Sequence, residues 1–150
     1  MAWGSIRGLG NLGRMVVEPS VIATPDNWPW HSFRPHELAC QHTGEHGMQV
    51  SCMNWLQALR DDFGHPMIIT SGYRHPSHPI EARKSAPGTH SLGCAVDVAC
   101  SGALAMLLVE KALAHNVRGL GVQQKGGGRF IHLDLAPAIQ GRPRPHIWSY

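Results

Sequence analysis

The order of apolar and polar positions divides the chain into a small set of elements. Met48, Cys52, Trp55, Leu56, Leu59 and Phe63 fall on one face of a helix predicted over residues 48–63, which Gly64 and Pro66 stop. Residues 67–71 follow as a short strand carrying Ile68, Ile69 and Thr70, ending at Gly72. The Pro- and His-rich stretch 75–88 reads as a loop. Over 94–98 the chain alternates: Cys94, Val96 and Val98 share one strand face, Ala95 and Asp97 the other. A second helix is expected over 103–115, with Ser101 as its N-cap. Two more strands, 119–122 and 130–135, are joined by a turn at 125–128.

This order predicts an α+β fold: a small, mostly antiparallel sheet flanked by helices. Residues 1–30 stand apart. They are rich in Gly and Pro, carry Trp3, Trp28 and Trp30, and show no sustained period. An extended N-terminal arm that wraps the domain or docks on a partner is expected there, with simple disorder as the alternative, and residues 31–150 form the domain proper.

Composition changes the picture in one respect. With 150 residues the chain supports one core. Its charged fraction is 15 %, against roughly 25 % for soluble domains, yet its 11 histidines nearly match the 13 lysines and arginines together. Histidine is the commonest metal ligand and a frequent acid–base group, so the excess directs attention to metal or catalytic chemistry. The net charge of +3 includes no basic cluster beyond Arg142-Pro143-Arg144, too short for a nucleic-acid footprint. A mild positive balance suits an anionic polymer such as peptidoglycan. No apolar run approaches the roughly 18 residues of a membrane span, and residues 1–14 lack the apolar centre of a secretory signal. A soluble protein made in the cytoplasm is expected. Cys40, Cys52, Cys94 and Cys100 show no CxxC spacing and read as free thiols, with a Cys40–Cys52 disulfide as the alternative.

The candidate chemistry lies on two strands. In residues 130–135, period two sends Ile131, Leu133 and Leu135 toward the core and leaves His132 and Asp134 together on the other face, roughly 7 Å apart along the strand. Asp97 occupies its own strand between Ala95 and Ala99, small neighbours that leave room around a carboxylate. His90 precedes it, beyond a Gly93 that lets the chain turn back. Two imidazole nitrogens and one carboxylate oxygen form a donor set typical of catalytic zinc with one position open for water. The competing reading is a plain hydrogen bond between His90 and Asp97 within a loop.

Three motifs together, Ser71-Gly72-Tyr73-Arg74, then residues 88–97 (GTHSLGCAVD), then Phe130-Ile131-His132-Leu133-Asp134, resemble the M15 peptidases, the D-alanyl-D-alanine carboxypeptidases and related murein endopeptidases. Residues 33–44, 78–82 and 143–150 are most similar to the compact M15A-type branch often encoded by phages. The resemblance spans about residues 33–150. It implies that His90, Asp97 and His132 bind Zn2+ and that Arg74 holds substrate carbonyl or carboxylate oxygens; a structural salt bridge is the other reading of Arg74. The implied activity is hydrolysis of peptide bonds in peptidoglycan stem peptides. Better-known relatives carry an acidic general base three residues before the last histidine, where this chain has Arg129. Asp134 is the first substitute as base, or else the carboxylate that orients His132. His75, His78 and Glu81 are outer candidates.

Arg129 and the aromatic arm motivate a rival: a zinc-stabilised, non-catalytic cell-wall-binding or virion component. A phage origin would bring a wall enzyme without a signal peptide to its substrate, through holin-type release or by riding in the particle with tail or virion proteins. Which peptide bond is cut stays open, carboxypeptidase or endopeptidase.

Overall fold

The computed structural model describes residues 21–150. A helical turn α1 (Pro35–Leu38) precedes the long helix α2 (Val50–Phe63), strand β1 (Ile68–Ser71), a second turn α3 (Pro79–Ala82) and strand β2 (Ala95–Ala99). Helix α4 (Gly102–Ala114) and strands β3 (Gly119–Gln123), β4 (Phe130–Asp134) and β5 (His146–Ser149) complete the chain. The five strands form one sheet in the order β1-β2-β4-β3-β5. All pairings are antiparallel except β3 with β5, which is parallel. The expected α+β class, with its mostly antiparallel sheet and helices, is the fold observed.

One sheet face is apolar. Val96, Val98, Ile131, Leu133 and Leu120 bury themselves there with Leu56, Leu59 and Phe63 of α2 and Leu108 of α4. Each such side chain contributes about 1.5–3 kcal/mol by leaving water. Gly64 ends α2 in the left-handed conformation, with its N–H donating to the Arg60 carbonyl. The Trp55 indole donates to the His115 carbonyl at 2.7 Å, tying α2 to the end of α4.

Two differences from the sequence reading matter. The stretch 75–88 is not wholly loop, because Pro79 and the His78 ring, which accepts from the Ile80 N–H, start the turn α3. Strand β5 was not expected; its pairing with β3 is long-range and leaves no local period to read. Of the arm expected over residues 1–30, positions 21–30 run along the domain. Val21 and Ala23 pair with Val50 and Met48, and buried Trp30 donates to Asn54 Oδ1 at 2.9 Å. Residues 1–20 lie outside the described residues, Trp3 among them. All four cysteines carry free thiols, and burial pushes the Cys94 thiol up to about 11.

Candidate metal centre

The sheet face opposite the core holds the site. Because Val96 and Val98 enter the core, the residue between them, Asp97, projects the other way. The β2–β4 register then sets His132 opposite Asp97 and Asp134 opposite Ala95. His90 arrives from the loop before β2. That loop reverses at Gly93, at φ 71°, where a Cβ would collide with the Gly47 carbonyl. On β1, a register irregularity between Ile69 and Ser71 aligns Ser71 with Asp97.

His90, Asp97 and His132 are all buried, and one ligand atom from each lies within 4.8 Å of the others. Both imidazoles are tied at the far nitrogen. His90 Nδ1 donates to the Gly72 carbonyl at 2.7 Å, and a carbonyl can only accept. His132 Nε2 donates to Asp134 Oδ2 at 2.8 Å. The remaining nitrogens, His90 Nε2 and His132 Nδ1, face Asp97 Oδ1 at 3.3 and 3.0 Å. Two nitrogen lone pairs directed at a carboxylate oxygen require a proton or a cation among them. Burial works to raise the Asp97 carboxyl, but hydrogen bonds from His132 and His90 in their protonated forms outweigh it and hold it well below the usual range. Burial likewise depresses the His132 imidazole, while Asp134 and Asp97 overcome that effect and raise it. In donor type, burial and fixed tautomer the trio fits a divalent metal of the zinc class. No other such group occurs among the described residues.

Arg74 lies beside this trio, mostly buried. Its Nε donates to Ser71 Oγ at 3.0 Å and its Nη2 to Asp97 Oδ2 at 3.3 Å, while Nη1 stands 3.6 Å from Glu81 Oε1. Asp97 therefore turns one oxygen to the histidines and the other to Arg74. Glu81 is buried, held also by Lys84 Nζ at 2.9 Å and the Gly88 N–H at 3.2 Å. Surface exposure, the ordinary expectation for a residue of that loop, does not apply to it. His75 pairs instead with Glu45, at 3.1 Å, and His78 caps α3.

Asp134 is fully buried. Its Oδ1 accepts from the Ala136 N–H at 3.0 Å and Arg144 Nε at 2.9 Å; its Oδ2 accepts from His132 and from Arg144 Nη2, each at 2.8 Å. Burial would raise this carboxyl, but the bonds from His132 and Arg144 prevail and pull it down to about 2. Arg129 sits in the β3–β4 hairpin, exposed, its Nε donating to the Gly126 carbonyl.

The family model described as Peptidase M15 matches residues 31–134. The chain belongs to the M15 peptidases. No curated protein and no solved structure matches it. The matched range of this M15 peptidase contains Arg74, His90, Asp97 and His132 and closes at Asp134, so the buried trio is its candidate metallopeptidase site.

Arg144 and Trp148, which the sequence reading did not place at the site, lie beyond that range. A usable signal was present: Gly119 and Gly121 alternate within a strand, a pattern that marks close approach by other groups. A Cβ on Gly119 would collide with the Asp134 carboxylate, and one on Gly121 would stand 2.8 Å from the Trp148 indole.

Proposed function

We propose that this M15 peptidase is a zinc enzyme that hydrolyses peptide bonds in peptidoglycan stem peptides, of the compact M15A-type branch that phages often encode. The observation that carries the reading is the convergence of His90 Nε2, Asp97 Oδ1 and His132 Nδ1, with both far ring nitrogens tied. When bound there, zinc supplies a Lewis acid that polarises a carbonyl and acidifies water.

The chain's own groups supply the rest. Arg74 presents a permanently charged fork beside Asp97, braced by Ser71 and Glu81, and in this reading it steadies the substrate carbonyl oxygen as charge develops. Of the two roles open to Asp134, orienting His132 is favoured. Its four hydrogen bonds and complete burial leave it no path to a substrate proton. The mild positive charge agrees with an anionic wall polymer. Synthesis in a bacterial cytoplasm, with delivery by holin-type release or within a phage particle, completes the proposal.

One observation favours a second reading, a zinc-stabilised wall-binding component. The usual acidic position holds Arg129, and that side chain points its guanidinium to a hairpin carbonyl. Elemental analysis of the purified protein, paired with murein digestion before and after chelation, separates the two. About one zinc per chain with chelator-sensitive peptide release supports the peptidase, and His90→Ala or Asp97→Ala should then lose both. Zinc without digestion supports the binding component. A protein without zinc overturns both readings.

A further inference from the structure

The last eight residues do more than extend the sheet. Strand β5 joins the edge of β3 in parallel, anchored where the His146 N–H donates to the Arg118 carbonyl and the Tyr150 N–H to the Val122 carbonyl. Just ahead of it Arg144 turns inward, its side chain only 5 % exposed. Its Nε and Nη2 grip both oxygens of Asp134 at 2.9 and 2.8 Å, and its Nη1 donates to the Pro143 carbonyl at 2.7 Å. Trp148 closes the arrangement: its ring lies 5.3 Å from the Arg144 guanidinium and 5.1 Å from the His132 ring.

We propose that Arg144 is a positioning residue for the metal centre, acting on His132 through Asp134; the role rests on reading His90, Asp97 and His132 as a metal site. The physical case has three parts. A buried carboxylate is tolerated only when its charge and lone pairs are met, and among the described residues Arg144 is the one permanently charged group bonded to Asp134. A planar two-pronged donor fixes the plane of the carboxylate, which a lysine point charge does not. The carboxylate so fixed holds the Nε2 proton of His132, leaving Nδ1 as the lone-pair nitrogen directed at Asp97 and strengthening it as a ligand. Gly119 makes this geometry possible, since any side chain there would occupy the carboxylate's place. Arg144 lies ten residues after Asp134 and outside the family match, so the terminal segment completes a centre whose ligands all precede it.

The competing account is that Arg144 only pins β5 to the sheet. Zinc affinity, measured by competition with a chromophoric chelator, distinguishes the two, with the cobalt(II) absorption spectrum as a second readout. Arg144→Met should weaken zinc binding about tenfold to a hundredfold and alter the cobalt spectrum. Arg144→Lys should recover only part of the loss. Asp134→Asn should weaken binding comparably, and the Asp134→Asn/Arg144→Met double variant should lose little more than either single one. Ile147→Ala, which loosens β5 beside Leu113 and Leu120 on the opposite face, should lower thermal stability and leave zinc affinity unchanged.

Zinc affinity within about twofold of the parent in folded Arg144→Met, or an equal loss in Ile147→Ala, would overturn the proposal. If Arg144→Met does not fold, Arg144→Lys decides: parental affinity and an unaltered cobalt spectrum would overturn it equally. A parent protein that binds no zinc would remove the metal reading itself, and the positioning role with it. A parent that binds zinc while Arg144→Met matches it removes the positioning role alone.

Discussion

Asp97 and His132 face each other across the β2–β4 ladder, with His132 Nδ1 3.0 Å from Asp97 Oδ1. Their pairing places two candidate ligands on adjacent, hydrogen-bonded strands, so the spacing between them is set by backbone rather than by flexible side chains. The third candidate, His90, depends on a loop, but that loop is fastened: the Arg74 N–H donates to the His90 carbonyl and the Gln49 side-chain amide to the Leu92 carbonyl. A site built this way is preformed before any ion enters. An ion bound there would add stability by binding the folded state alone.

Preorganisation of Arg74 should show in kinetics. Arg74→Lys keeps the charge but cannot meet Ser71, Asp97 and Glu81 with one fork. We expect kcat/KM for murein peptide release to fall about a hundredfold with one zinc per chain retained. Near-parental turnover with full metal content would show that Arg74 merely braces the two carboxylates.

The metal-free protein should be stable over a bounded pH window. Asp134 is pulled down to about 2 from 3.8, and Asp97 is lowered as well. Their stabilisation is present above roughly pH 4 and is lost as pH falls through the folded values. His132 is raised above 6.5, so its contribution is complete below 6.5 and disappears as pH climbs through the raised value. Both contributions coexist between roughly pH 4 and 6.5. Thermal unfolding of chelated protein should therefore give its highest Tm in that interval, with added zinc offsetting the alkaline loss. A chelated Tm that does not decline above neutral pH would contradict the His132–carboxylate network.

Glycine substitutions on β3 and its hairpin should rank by what a methyl group meets. Gly119→Ala drives a Cβ into the Asp134 carboxylate, which four hydrogen bonds hold in place, and should cost about 1–3 kcal/mol. Gly121→Ala meets the Trp148 indole at 2.8 Å, a half-buried ring at the sheet edge that can shift, and should cost less. Gly127→Ala, with nothing within 4 Å, should stay within about 0.5 kcal/mol of the parent. Urea unfolding of the three variants reads the order directly. Equal effects at 119 and 127 would mean that Asp134 is not tightly held.

Much of this was legible in residue order because the relevant signals are local. The period of α2, its stop at Gly64 and the alternation that sends Asp97 and His132 away from the core all follow from a few neighbouring residues. The turn α3 and the burial of Glu81 were not legible. Glu81 belongs to a polar, Pro-rich stretch, and only its meeting with Arg74 and Lys84 draws it inside. Asp134 shows the boundary most clearly. Period two set its face, but whether it works as a base or as an anchor depends on Arg144, a residue that no local pattern links to it.

By itself, then, the sequence determined the order of the two long helices and four of the strands, the face on which each of their residues lies, and the three candidate ligand residues, because backbone geometry repeats over two or 3.6 residues. The tertiary structure alone decided the strand order β1-β2-β4-β3-β5, the parallel seating of β5, and the closure of Arg144 and Trp148 over His132 and Asp134. Those contacts join positions far apart in the chain. Their free energy exists only once the sheet has closed, so it leaves no period for a sequence to display.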